Sequence, residues 1–540
     1  MKTRVLTLSA IAAVMLSACG EQAAEQPEAS APMNDTQVTI ANGTIEGVKD
    51  DDILVFKGIP YAKPPVGENR WRSPQPVSDW DGVKATTDYG NDCAQKPFPS
   101  DAAPLGKEPA EDCLYVNVWA PQPGEGKRPV VVWIHGGGYV NGGASPATYD
   151  GSEFARAGVV FVSFNYRLGR FGFFAHPALS AAKEGPLGNY GFEDQIAAMK
   201  WVQENVEAFG GDASQVTIMG ESAGGGSVHN LMQTPGARGT FQRAIIMSGG
   251  GRSLMGERYL DKGSNGQPSL EQIGVNFAEK HGIEGTGPEA LAALRALPEE
   301  QVVDGLNLMA LFMPQGGVVT YGGPVNDGEI VQGATQRMLE EGKVAKVPVM
   351  VGTTSQDIGF ANFPDKDALF ASFGEFAQAA RDAYDPDGSA DLQTLVASVG
   401  QDFTMQEPAR FVAQQMTQMD ENAYLYRYDY VAESVRDGKG TPHAAEIPFF
   451  FKTEDVKYPE FTEKNAAAAD LVFSYVVSFI ENGDPNVTRL PEWKPYDGEQ
   501  HNMMHFNMDA EAVHGQDPWT ERLNAVQGAT EAFQASTGTE

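Results

Sequence analysis

One pentapeptide offers a nucleophile. Gly220-Glu221-Ser222-Ala223-Gly224 sets a serine between glycines, a spacing that permits a turn sharp enough to lift the Ser222 hydroxyl clear of its backbone. The strand-like run Gln215–Met219 precedes it and a small-residue helix start follows it. In that context the serine sits at a strand–turn–helix elbow, where the helix N-terminus favours negative charge at the reacting centre. Out of that context the same residues are a glycine-rich turn with a passive serine. A second stretch, His135-Gly136-Gly137-Gly138, follows the apolar run Pro129–Ile134. Residues without Cβ let backbone N–H groups approach a substrate oxygen. The N–H groups of Gly137, Gly138 and Ala223 are therefore the expected oxyanion donors, each worth roughly 3–4 kcal/mol where such donors have been removed. A phosphate-binding loop would need a Lys-Ser/Thr pair that this stretch lacks. The chemistry on offer is acyl transfer through a serine, and it needs no metal or cofactor.

These residues need strands and helices to carry them. Apolar runs at Pro129–Ile134, Val159–Phe164, Gln215–Met219, Arg243–Met247 and Val347–Val351 have strand length, and helical spacing over Gly191–Phe209 stops at Gly210-Gly211. Strands alternating with helices imply α/β class, with a mostly parallel sheet covered on both faces. Between about Gly256 and Met338 the strand signal fades, and segments such as Glu289–Leu297 look helical. Helical insertions over the active site are expected there. No linker breaks the pattern, so residues 37–530 read as one catalytic domain and 531–540 as a C-terminal tail. Length alone, 540 residues, would allow three or four domains. Leu471–Ile480 is too short to span a bilayer and reads as a buried helix.

A serine nucleophile needs a base, and the base an orienting carboxylate. Alpha/beta hydrolases place these in the chain order Ser, acid, His. Of the eight histidines, His135, His176, His229 and His281 precede every suitable acid. His443 lies on a loop beside Gly440 and Pro442, free to point into a site, whereas His501, His505 and His514 lie in a polar stretch and read as solvated. Asp357 follows the Val347–Val351 run and is expected to accept the Nδ1–H of His443. Asp327, in Asn326-Asp327-Gly328, competes for that role, although the string reads as a turn. Apolar residues at Leu311-Phe312-Met313-Pro314 and at 360–363 would line an acyl pocket or equally belong to the core.

With their flanks, these motifs resemble the type-B carboxylesterases, the alpha/beta hydrolases that include para-nitrobenzyl esterases and, more distantly, cholinesterases. The resemblance runs through Phe56-Lys57-Gly58-Ile59-Pro60-Tyr61-Ala62, Glu111-Asp112-Cys113-Leu114-Tyr115-Val116-Asn117, Asn165-Tyr166-Arg167-Leu168-Gly169, Phe209-Gly210-Gly211-Asp212 and Gly483-Asp484-Pro485-Asn486. It covers nearly all of 37–530. It implies an alpha/beta-hydrolase fold and hydrolysis of small-molecule carboxylic esters through Ser222, Asp357 and His443. It also implies a Cys93–Cys113 disulfide, an Arg70–Glu111 ion pair, and supporting places for Glu221 beside the nucleophile and Ser248 near the acid. Two departures matter. The family's acid is usually Glu followed by Gly, and here Asp357 precedes Ile358. Asp is one methylene shorter, so its loop must sit closer to His443. The loop Ala94–Asp112 is short and lacks Trp, which argues against choline esters. A lipase, or a detoxifying hydrolase of a bulky natural ester, would use the same mechanism. A neuroligin-like binding module would have lost the nucleophile that this chain keeps.

The remaining features concern destination. Lys2, Arg4, the apolar stretch Val5–Leu16 and Leu16-Ser17-Ala18-Cys19 resemble a bacterial lipoprotein signal. Residues 1–18 would be removed, Cys19 lipidated, and 19–36 left as a flexible tether. Gly20 after Cys19 points, by resemblance to Gram-negative sorting, to the outer membrane. An ordinary signal peptide with an incidental cysteine is the alternative. Export suits a Cys93–Cys113 bridge, and closing so short a loop stabilises by roughly 3 kcal/mol. No Cys/His cluster has zinc spacing. Lys plus Arg is 39 and Asp plus Glu 72, a net charge of −33. That excludes a basic nucleic-acid surface and disfavours loose adhesion to anionic lipid. The lipid anchor is then the one expected membrane contact, and the charge reads as a solvating surface.

Overall fold

Side chains alternate across a strand, and here that alternation builds two separate cores on one sheet. The computed structural model describes residues 35–98, 103–124, 126–252, 257–264, 266–312, 316–460 and 462–537. Among them the main sheet has eleven strands: β1 (Val48–Asp50), β2 (Ile53–Pro60), β3 (Tyr115–Pro121), β4 (Arg128–Ile134), β5 (Val160–Phe164), β6 (Gly211–Glu221), β7 (Arg243–Met247), β8 (Val349–Thr354), β9 (Ala423–Tyr428), β10 (Asn502–Phe506) and β11 (Ala512–Gln516). Their spatial order is β1-β2-β3-β5-β4-β6-β7-β8-β9-β10-β11. From β5 to β10 every neighbouring pair is parallel, and antiparallel strands close both edges.

In β4, Val130, Val132 and Ile134 join one core with Val216 and Ile218 of β6, while Val131 and Trp133 join the other with Met219. The first core is roofed by Met199 and Val202 of the helix Tyr190–Asn205, by Val228 and Leu231 of Ala223–Gln233, and by Val412 and Met416 of Glu407–Gln418. The second is covered by Phe154 and by Val472, Val476 and Phe479 of Glu463–Asn482. Each fully buried side chain of this kind contributes about 1.5–3 kcal/mol, so both faces of the strands that carry the site are held from above and below.

The five expected strands are β4 to β8, and the expected helix over 191–209 is Tyr190–Asn205 with a final 3₁₀ turn at Val206–Phe209. Between β7 and β8 lie the inserted helices, including Leu270–Lys280, Pro288–Arg295 and Leu308–Phe312. Leu471–Ile480 lies in the helix Glu463–Asn482, with Val472, Val476, Phe479 and Ile480 buried. Among the described residues no helix is long and apolar enough to cross a membrane. The last helix runs Thr520–Thr537, with Ala525, Val526 and Ala529 packed against Leu369, Phe373 and Leu395. Cys93 and Cys113 are joined by a disulfide. Nearby, Arg70 Nε donates to Glu111 Oε2 at 2.9 Å and a second contact pairs the same side chains. Residues 1–34, with the signal segment and Cys19, lie outside the described residues.

Candidate active site

β6 ends at Glu221 and the helix Ala223–Gln233 begins at once, leaving Ser222 alone at the corner with φ 57° and ψ −123°. Such a backbone costs a non-glycine residue on the order of 1–3 kcal/mol and persists only where its surroundings enforce it. Ser222 N donates to Met247 O and Gly226 N to Ser222 O, both at 2.9 Å. The flanking glycines are demanded by contact. A Cβ on Gly220 would lie 2.4 Å from Gly224 O, and one on Gly224 would lie 2.0 Å from Ile134 O. Gly137 and Gly138 follow β4 with φ +101° and +62°. Their N–H groups donate to no backbone acceptor among the described residues, and the N–H of Ala223 opens a helix whose first turn has no internal acceptor. His135, at the head of this loop, stacks on Tyr166 at 4.4 Å. Burial pulls its pKa down to about 4, so the ring is neutral and structural.

Asp357 lies on the loop after β8 and His443 on a loop beyond β9. His443 Nδ1 is 2.6 Å from Asp357 Oδ1. Asp357 Oδ2 accepts from Ser248 Oγ at 2.6 Å and from Thr354 N at 3.2 Å, and Oδ1 also accepts from Ile358 N at 2.8 Å. Burial opposes the charged carboxylate, but His443 and these donors outweigh it and hold the pKa of Asp357 below the ordinary range. Burial likewise opposes the imidazolium, yet the Glu221 and Asp357 carboxylates raise His443 above its ordinary 6.5. His443 Nε2 lies 3.1 Å from Glu221 Oε1, at an angle that leaves this oxygen without a hydrogen bond. Catalytic contacts to a serine commonly tighten only when substrate is bound.

The other sequence candidates are placed elsewhere. Asp327 Oδ1 accepts from the N–H groups of Glu329, Ile330 and Val331, and Oδ2 takes Asn189 Nδ2 at 2.6 Å, so it pins a turn. The three late histidines are not simply solvated. His501 meets Tyr496 Oη at 3.0 Å, His505 meets Asp429 at 3.3 Å and His514 meets Asn502 at 3.1 Å. The two apolar candidate segments divide. Leu308 N donates to Asn141 Oδ1 at 2.8 Å, and a Cβ on Gly138 would lie 2.7 Å from Leu308 and 3.2 Å from Leu311. The helix Leu308–Phe312 thus overlies the glycine loop. Phe312 stacks on Phe360 at 5.4 Å, and Met309, Phe312 and Phe360 are 53%, 47% and 61% exposed. Phe363 instead packs against the Leu369 core, and Met313 and Pro314 lie outside the described residues.

One residue of this site was not anticipated. Glu446, three positions after His443, is fully buried, and neither carboxylate oxygen has a partner among the described residues. Burial, reinforced by the Glu221 and Asp357 charges, pushes its pKa well up. The buried hydroxyl of Tyr426 is also unpartnered. Glu446 stands at the start of the helix Ile447–Phe451 without a capping bond from its side chain, and an acid at a helix start looks like ordinary dipole matching in a sequence.

The carboxylesterase family model matches residues 34–526. The chain belongs to the carboxylesterase family. It is 33% identical to para-nitrobenzyl esterase of Bacillus subtilis over 505 residues, covering 90% of this chain and 97% of that one. It is 31% identical to fumonisin B1 esterase of Sphingopyxis macrogoltabida over 478 residues, 84% of each. Two solved structures of PNB esterase superpose with TM-scores of 0.77 and 0.75 at 30% identity, covering 91% of this chain and 99% and 100% of theirs. The fold is that of the alpha/beta hydrolases, and the carboxylesterase is a serine enzyme that hydrolyses carboxylic esters.

Proposed function

We propose that this carboxylesterase works through an acyl-enzyme on Ser222, with His443 as the base and Asp357 as its orienting acid. The observation that carries the reading is the 2.6 Å contact between His443 Nδ1 and Asp357 Oδ1, on a ring whose Nε2 lies beside Glu221, the neighbour of Ser222. His443 takes the proton from Ser222 Oγ as the serine attacks the ester carbonyl. The oxyanion is received by the N–H groups of Gly137, Gly138 and Ala223. His443 then protonates the leaving alcohol, and water hydrolyses the acyl-enzyme by the reverse proton path. Ser222→Ala should abolish turnover of p-nitrophenyl acetate while leaving the circular-dichroism spectrum unchanged. Turnover retained near the wild-type rate sinks the reading.

A bulky, apolar ester is the favoured substrate. The two relatives carry different substrate names at similar identity, so identity does not choose the substrate. What supports a bulky ester is the exposed Phe312–Phe360 stack next to the glycine loop, because apolar side chains left in water there gain about 25 cal/mol per Å² when a substrate covers them. A p-nitrophenyl ester series should show kcat/KM rising with acyl length; a profile that peaks at acetate rejects this preference.

The sequence further supports export and lipid anchoring at Cys19, on the side of the outer membrane that faces the periplasm or the surroundings. Labelled palmitate should enter the wild-type chain and not Cys19→Ala. Equal labelling of both rejects the anchor.

A further inference from the structure

A second serine–aspartate–histidine cluster lies beside the first. Ser355 follows β8 directly, Asp429 follows β9 directly, and His505 lies in β10. Ser355 Oγ donates to Asp429 Oδ1, and His505 Nε2 is 3.3 Å from Asp429 Oδ2. Ser355 N also donates to Tyr428 O at 3.0 Å. This serine is no nucleophile, since its proton is committed to Asp429 and its oxygen accepts Thr441 N at 2.9 Å. Thr441 O in turn accepts Gln356 N at 2.9 Å. Burial works against ionisation of Asp429, but the contacts from His505 and Ser355 hold its pKa below the usual range, so it stays an acceptor.

The placement matters because Ser355 is two residues before Asp357 and Thr441 two before His443. The cluster therefore joins the loop that carries the acid to the loop that carries the base. Gly440 makes the approach feasible: its φ is +109°, and a Cβ there would lie 2.7 Å from Ser355 Oγ. Packing alone does not fix the histidine loop, because Gly440, Pro442 and Ala445 border a cavity of about 130 Å³. The acid cannot compensate from its own end. Asp357 has one methylene fewer than Glu, and Ser248, Thr354 and Ile358 already tie its carboxylate.

We propose that Ser355 is a positioning residue: held by Asp429 and His505, it clamps the Asp357 loop against the His443 loop and so sets their 2.6 Å contact. The proposal rests on the triad reading above. Displacement of a catalytic group by about 1 Å can cost about 100-fold in rate, and release of this clamp provides such a displacement.

The test uses the full-length enzyme and p-nitrophenyl acetate. Ser355→Ala should lower kcat about 10- to 100-fold with KM nearly unchanged, and Ser355→Thr, which keeps the hydroxyl, should restore most of it. Asp429→Asn, isosteric at a partly exposed site, should lower kcat in the same direction if the alanine variant folds poorly. Asp357→Glu should cost less in the Ser355→Ala background than in the wild type, because a released loop can retreat to admit the extra methylene. Wild-type kcat in both Ser355→Ala and Asp429→Asn overturns the clamp, as does failure of Ser355→Thr to recover rate. Ser222→Ala is assayed alongside: if it is inert, those results overturn the clamp alone, and if it is active, the triad reading falls and the clamp with it.

Discussion

The floor of the site and its mouth are built on opposite principles. At the floor, Ser222 is forced into a strained corner by Gly220 and Gly224, and Asp357 has both oxygens occupied by donors. At the mouth, Met309, Phe312 and Phe360 stand about half exposed on a short helix and a loop. The floor spends its surroundings on one geometry. The mouth leaves apolar surface uncommitted, as the proposed preference for a bulky ester requires. Chemistry and selectivity should therefore be separable by mutation.

The most severe separation comes from the floor. Asp357→Asn keeps the shape but removes the charge that orients His443, and should lower kcat by about 10³-fold or more on short and long esters alike. A loss confined to long esters would erase the distinction between the two regions. At the mouth, Phe312→Ala combined with Phe360→Ala should lower kcat/KM for a long-chain p-nitrophenyl ester by about tenfold, the scale of a lost apolar contact, and leave p-nitrophenyl acetate within about twofold. Equal losses on both substrates would place the aromatic pair in the floor.

A smaller effect sharpens the electrostatics. In the proposed mechanism His443 must be neutral to act as base, and Glu221 and Asp357 hold its pKa above the ordinary 6.5. Activity is therefore lost as pH falls through that raised value. Glu221→Gln removes one negative charge, so the acid limb of the kcat/KM profile should move to lower pH, by on the order of one unit. A limb that stays in place or moves up contradicts this account. Glu446 raises His443 less than Glu221 does, so Glu446→Gln should move the limb less than Glu221→Gln does.

Much of the floor was legible because it obeys rules of spacing. Gly-x-Ser-x-Gly after an apolar run and an acid just past the second strand beyond it both follow from the need to place side chains at strand ends, and chain order then leaves the late histidines as the only bases. What stayed hidden depends on depth and on pairing. β9 escaped notice although the run Ala423–Tyr428 is aromatic-rich after Asp420, Glu421 and Asn422; its strand preference was the available signal. Glu446 and Ser355 carry no local mark, since their meaning lies in an absent partner for one and in two loops brought together for the other. The turn reading of Asp327 and its rivalry with Asp357 could be separated only by seeing which carboxylate meets His443.

The central claim is that Ser222 is the nucleophile. A fluorophosphonate probe, which reacts with an activated serine, followed by mass mapping of the labelled peptide, tests it most directly. The account predicts one modified residue, Ser222, with loss of esterase activity in proportion to labelling and no label in His443→Gln. Activity blocked by label on another serine, or full activity in enzyme labelled stoichiometrically at Ser222, would contradict it.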